Sequence, residues 1–206
     1  MSKGNGILGG TAIVTDVMAA LSIPGSATLG LAVSRALQRR KQAAIELLLA
    51  EIAKGKREGI EFSNGDADEL VQMLLRFSSA VDAGAARQNL RLLAQVIFGL
   101  KRNKTFEYDK FSKWANILQS LTRNEILFLG AAYGIINETP DEFWKKIRES
   151  LSSNFSSDEC NEVAAALTRT GLILPVSAYG RLAYVASTAL KELGQLAEIE
   201  PTSPDL

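Results

Sequence analysis

The segment from Gly4 to Ser34 contains a single charged side chain, Asp16, in thirty-one residues. At the chain's overall charged fraction of 22%, about seven charges are expected in a window of that length. Four basic residues then follow between positions 35 and 41. A segment so poor in charge requires an apolar surface to cover it, supplied by the chain's own core, by a second copy or by lipid.

The sequence leaves three environments open for this segment. Protein packing is the favoured interpretation, with helices over about Thr11–Leu21 and from Ala27 onward. A membrane is the second, because Val17–Ser34 gives eighteen uncharged residues before a basic cluster, although a Pro-Gly pair at 24–25 interrupts them. An export signal is the third, disfavoured by the acidic residue inside the apolar run. The side chains that we expect to make the self-association or membrane contact are Ile7, Leu8, Ile13, Val17, Leu21, Leu29 and Val33.

The residues needed for most catalytic and metal sites are missing. Histidine is absent and Cys160 is the single cysteine, which excludes Cys/His zinc sites, Ser-His-Asp triads, Cys-His pairs and an internal disulfide. Cys160 has helical spacing to Val163 and Leu167, which predicts a small buried hydrophobe. Acidic residues at 66–69 and 141–142 lie in predicted first helical turns, where they stabilise the helix dipole. We therefore predict no enzyme, no cofactor and no metal.

Helical periodicity dominates the first part of the chain. A stripe that includes Leu37 and Leu48 predicts a long helix over about Ala27–Lys54, roughly 40 Å in length. Asp66 and Glu69 have the spacing of a capping box, which predicts the start of the next helix. Further apolar helix faces are predicted over 70–81, 90–100 and 111–121.

Helix start signals are clearer in the second half. Thr122 with Glu125, and Ser156 with Glu159, match the capping box. A Thr-Pro pair at 139–140 places proline at the first helical position, where its missing N–H costs nothing. Three helices are therefore predicted to follow one another here.

After Gly171, the expected left-handed terminator of the third of these helices, the sequence pattern changes to that of strands. The order helix, helix, helix, hairpin, helix is that of a winged helix-turn-helix, with Ser156–Thr170 in the position of the recognition helix. The predicted elements are strands over 172–176 and 181–185, a turn over 177–180 and a last helix over about 187–197.

Nucleic-acid binding is a weaker hypothesis. The recognition-helix segment carries Asp158, Glu159 and Glu162, whose carboxylates repel phosphates, and only Asn161 suits a base contact. The basic middle of the chain is the other candidate, although a solvated helix face is the favoured interpretation of it. The residues proposed there for nucleic acid or an anionic surface are Arg87, Arg91, Lys101, Arg102 and Lys104, with Lys110 and Lys113 beyond them.

A family resemblance is carried by three C-terminal stretches: Ser120–Glu125, Ala166–Ile173 and Tyr184–Leu193, with an acidic amphipathic helix between the first two. On these residues the C-terminal part resembles bacterial abortive-infection alpha-type proteins and related uncharacterised winged-helix proteins. The resemblance implies a role in defence against phage and supplies no catalytic residues.

The sequence thus predicts a mainly α protein, with a helical bundle, a long N-terminal helix and a C-terminal winged-helix-like unit that contains a short β-hairpin. We expect a small-residue-rich N-terminal region (1–62), a central bundle (63–121), the winged-helix-like unit (122–199) and a flexible tail (200–206). The expected function is that of a non-enzymatic interaction protein that self-associates in the bacterial cytoplasm. A membrane-associated effector peripheral to the inner membrane and a DNA-binding regulator are the alternatives.

Overall fold

The computed structural model of the chain describes residues 31–178 and 181–199, with side chains for residues 37–177 and 182–199. These ranges contain eight α-helices and one antiparallel hairpin, so the predicted mainly helical fold is confirmed. The chain divides into two compact units, one up to Ser120 and one from Leu121 onward. The predictions for residues 4–30 and for the tail at 200–206 lie outside the described residues.

The first unit is built around one helix that is buried on every side. From Asn89 to Leu100 every residue except Arg91 is buried, which is the pattern of a helix surrounded by others. Each of the three other helices packs against it. The helices of this unit are α1 (Leu31–Arg57), α2 (Ala67–Asp82), α3 (Arg87–Arg102, the central helix) and α4 (Tyr108–Gln119).

Ion pairs between the helix ends show how these helices are directed relative to one another. At the C-terminal end of α3, Lys101 pairs with Asp66 before α2 at 2.6 Å, and Arg102 pairs with Glu58 after α1 at 2.7 Å. At the opposite end of the bundle, the last residue of α2, Asp82, lies 3.1 Å from Lys41 of α1. Helix α1 therefore runs parallel to α3, and α2 runs antiparallel to both.

Helix α2 begins after Asp66, as the sequence predicted, but the predicted capping box of Asp66 with Glu69 does not form. Asp66 instead closes a box with Ser63, whose backbone N–H donates to the Asp66 carboxylate at 2.6 Å. The reason is a single 3₁₀ turn at 64–66 that precedes α2, so the box lies three residues earlier. The Glu69 carboxylate accepts a hydrogen bond from the backbone N–H of Tyr108, at the first residue of α4.

The second unit follows the predicted order, and its helix starts are confirmed. Both capping boxes are present, at Thr122 and at Ser156, and Pro140 is the first residue of its helix. Gly171 adopts the left-handed conformation expected of it, with φ +70°. The elements are α5 (Arg123–Gly134), α6 (Pro140–Ser150), α7 (Ser157–Leu167), β1 (Ile173–Ala178), β2 (Arg181–Ala186) and α8 (Thr188–Leu196).

The hairpin extends further than predicted, and it packs against α6. Ser177, expected in the turn, pairs with Leu182, because the ladder continues to the last residue of β1. The ring of Tyr184 on β2 lies 5.0 Å from that of Trp144 on α6, measured between centroids. Gly194 lets α8 approach α5, since a Cβ at this position would lie 2.0 Å from the Tyr133 ring. The unit is therefore winged-helix-like.

Candidate interaction surfaces

Most of the residues predicted to drive self-association lie outside the described residues. Val33 is within α1, but its side chain is not among those described. The first described apolar side chain of the N-terminal region is Leu37, and it is 41% exposed.

Leu37 belongs to the stripe of α1 that faces the core. Ala44 and Leu48 follow it at spacings of seven and four residues, and both are 1% exposed. The stripe loses its cover at Leu37 because α3 begins later along the bundle. The Arg40 guanidinium donates a hydrogen bond to the carbonyl of Ala85, just before the first turn of α3. The start of α1 therefore extends past the first turn of the central helix, with an apolar side chain exposed on its inner stripe.

The five basic residues proposed for nucleic acid form two separate groups. Arg87 and Arg91 lie in the first turns of α3, and Lys101, Arg102 and Lys104 lie at its other end. The helix between them is buried, so the two groups do not join into one exposed basic stripe. Lys101 and Arg102 are held in ion pairs, with Asp66 and Glu58. This geometry is typical of residues that stabilise a bundle.

The helix in the recognition position presents acid to solvent. Asp158, Glu159 and Glu162 are exposed on α7, together with Asn161. Arg169, just beyond α7, donates to both carboxylate oxygens of Glu125 on α5. This cation is therefore engaged in an ion pair within the unit, and the exposed surface of the helix is anionic.

Glu125 both caps the start of α5 and forms an ion pair, and the sequence indicated only the first of these roles. Its carboxylate accepts hydrogen bonds from the backbone N–H and the hydroxyl of Thr122, at 2.7 and 3.0 Å, and it pairs with Arg169. Burial raises the pKa of Glu125, but the hydrogen bonds and the Arg169 charge outweigh burial and hold the pKa below its ordinary value of 4.5. The buried carboxylate is therefore ionised at neutral pH.

A shallow groove of about 630 Å³ lies between α6 and the start of α7. Its charges balance, with Lys145 and Arg148 beside Asp141 and Glu149. Cys160 lies at its wall, buried as predicted, and burial raises the pKa of its thiol despite the nearby Arg148 charge. A neutral thiol is a poor nucleophile, so Cys160 is not activated for nucleophilic attack.

No group of three or more acidic or cysteine side chains that could hold a metal ion occurs among the described residues. The carboxylates of Asp66 and Glu69, which the sequence placed in a first helical turn, accept hydrogen bonds from Ser63, Lys101 and Tyr108. They cap helices and join them, as acids in first turns commonly do.

The hairpin carries two exposed leucines that the sequence analysis missed. Leu174 is 45% exposed and Leu182 is 64% exposed; they lie on opposite strands and, because side chains alternate along a strand, on opposite faces of the hairpin. The signal was available, because Arg181 is the single charge between positions 171 and 190. A wing that contacts phosphates needs basic residues, so this one is better suited to a protein surface.

No protein-family model, curated protein or solved structure matches the chain. Among the helices that the structure describes, none is both long enough and apolar enough to cross a membrane. The functional proposal therefore rests on the geometry of the chain itself.

Proposed function

We propose that this chain is a non-enzymatic interaction protein that self-associates through residues 4–34 and the first turns of α1. The observation that carries the proposal is the exposure of Leu37 on the inner stripe of α1. The same stripe is buried at Ala44 and Leu48, so Leu37 leaves a large apolar side chain uncovered at the start of it. In the sequence, the charge-poor segment ends at Ser34, three residues before Leu37.

Removal of residues 1–25 is expected to lower the number of chains in the oligomer, because it deletes most of the charge-poor segment. Leu37→Glu in the full chain is expected to act in the same direction, since it places a charge in the contact. Multi-angle light scattering over a range of protein concentrations measures both. Gln38→Glu is the matched control, because Gln38 is the exposed neighbour on a different side of α1.

A full-length chain that stays at the monomer mass of 22.2 kDa would exclude this function. Liposome flotation separates the membrane alternative. If anionic vesicles bind the full chain but not the deletion variant, the N-terminal segment contacts lipid, and the membrane alternative is favoured over a protein partner.

We infer from the abortive-infection resemblance that self-association serves a bacterial phage-defence or stress response. Cells that produce the full chain are expected to plate at least one phage of a panel with about tenfold or lower efficiency than cells lacking it. The 1–25 deletion variant, produced at the same level, is expected to restore plating. Equal plating of every phage on all three strains would remove the defence role and leave the self-association proposal in place.

A further inference from the structure

A second apolar surface, distinct from Leu37, lies along the outside of α1 and α2. We call it the α1–α2 face. Leu49 of α1 is 49% exposed and Leu75 of α2 is 47% exposed. Around them lie the half-buried side chains of Ile45 and Ile52 on α1 and of Val71 on α2. Large aliphatic side chains gathered in this way on two neighbouring helices are typical of a contact surface.

The two exposed leucines lie at the same height along the antiparallel helices. The ion pair between Lys41 and Asp82 sets a common starting level. Leu49 is eight residues from Lys41, about 12 Å along α1, and Leu75 is seven residues from Asp82, about 11 Å along α2. The ion pair and the leucines therefore occupy successive levels of one face.

The spacing on each helix is that of a helix-packing seam. On α1, Ile45, Leu49, Ile52 and Lys56 are separated by four, three and four residues. On α2 the corresponding residues alternate between spacings of three and four. Such a pattern keeps one side of a helix against a partner helix over several turns. The α2 seam consists of Asp68, Val71, Leu75, Ser78 and Asp82.

We propose that the α1–α2 face packs against the same face of a second copy, with a twofold axis that runs along the groove between α1 and α2. Each α1 then lies on α2 of the other copy, and the four helices form a bundle in which every neighbour is antiparallel. A twofold contact of one face with itself is the commonest way in which identical chains associate. In antiparallel four-helix bundles, short loops join neighbouring helices and the helices cross at small angles, and the proposed arrangement is compatible with both features.

The charges at the two ends of the face select this orientation. With the axis along the groove, Lys41 lies level with Asp82 of the other copy, and Lys56 lies level with its Asp68. With the axis across the helices, Lys41 would instead meet Lys56, and Asp82 would meet Asp68. Opposite charges at both ends favour the first arrangement, and like charges disfavour the second.

This contact deepens the proposed function, because it rests on self-association and names a face for it. It uses described residues of α1 and α2 and none of residues 4–34. Loss of the N-terminal segment therefore leaves it intact, and the two contacts together predict assemblies of more than two chains.

Sedimentation equilibrium of the 1–25 deletion variant tests the face by itself. We expect a dimer, with Leu49→Glu in that background raising the dissociation constant about 100-fold or more. Ala50→Glu is the control, because Ala50 is also exposed at the next position but lies off the seam. Circular dichroism checks that each variant keeps the helical content of the parent.

A deletion variant that is monomeric, or a Leu49→Glu variant that dimerises as tightly as its control, overturns the face contact. If the full chain and the deletion variant are both dimers, the N-terminal contact is instead overturned and the face is supported. The two failures are therefore distinguishable.

Cysteine crosslinking tests the orientation. Leu49→Cys mixed with Leu75→Cys is expected to form a disulfide between copies under mild oxidation, because the two positions are level across the twofold axis. Leu49→Cys alone is expected to stay uncrosslinked, and the native thiol of Cys160 is buried. Rapid crosslinking of Leu49→Cys with itself, and no disulfide between positions 49 and 75 in the mixture, overturns the proposed orientation.

Discussion

Replacement of Trp114 by alanine is expected to lower the free energy of unfolding of the first unit by about 3–5 kcal/mol, the range seen when a large aromatic is removed from a core. Trp114 is fully buried on α4, together with Phe111 of the same helix and Phe77 of α2. The packing of α4 against both α2 and α3 depends on these rings. The cavity that alanine leaves is too large for the surrounding helices to fill by small shifts.

Urea unfolding monitored by circular dichroism measures the effect. Trp114→Phe is the matched comparison, because phenylalanine keeps most of the ring volume and is expected to cost less than half as much. Trp144 of the second unit remains as a separate fluorescence probe. A transition for Trp114→Ala at the same urea concentration as the parent would show that α4 does not hold this unit together.

Replacement of Glu125 by glutamine is expected to cost the second unit about 2 kcal/mol at neutral pH, in line with charge-assisted hydrogen bonds. It removes the charge that Arg169 and the Thr122 cap share, while the side chain keeps its size. Because Arg169 is itself half exposed, the loss is smaller than for a fully buried ion pair.

The same carboxylate makes the second unit sensitive to acid. Its pKa in the folded protein lies below the ordinary value of 4.5, so folding favours the ionised form. The resulting stability is complete above pH 4.5 and is lost as the pH falls through the lower, folded-state pKa. Urea midpoints from pH 3 to pH 7 are expected to fall on acidification in the parent and to fall less in Glu125→Gln. Glu162→Gln, an exposed change on α7, is expected to follow the parent, and equal slopes for all three would refute the assignment.

The helix starts of the second unit could be predicted because each cap is formed by residues three positions apart. Thr122 with Glu125 and Ser156 with Glu159 are visible in the sequence and close in space for the same reason. The wrong prediction of a box between Asp66 and Glu69 also comes from local spacing. Two overlapping pairs within seven residues have the spacing of a capping box, Ser63 with Asp66 and Asp66 with Glu69. The 3₁₀ turn that brings Ser63 and Asp66 together has no periodic pattern by which the sequence could indicate it.

The central position of α3 could not be predicted from its apolar face. The spacing of Leu90, Leu93, Ile97 and Leu100 indicated a helix with one buried side. The structure also buries the opposite side, because α1, α2 and α4 surround the helix. Its buried polar residues are accommodated by partners from those helices, such as Asn89, which donates to the carbonyl of Leu118 at 2.6 Å.

The sequence by itself determined the helices, the hairpin and a charge-poor N-terminal segment that requires a cover, because each follows from residues within a few positions of one another. Only the tertiary structure decided that Arg169 pairs with Glu125 and that Lys101 pairs with Asp66. It also decided that Leu37 is exposed while Leu48 is buried. These pairs join residues 35 to 44 positions apart, and the exposure depends on where a neighbouring helix begins. Local spacing carries no information on either, since both depend on which surfaces the folded helices bring together.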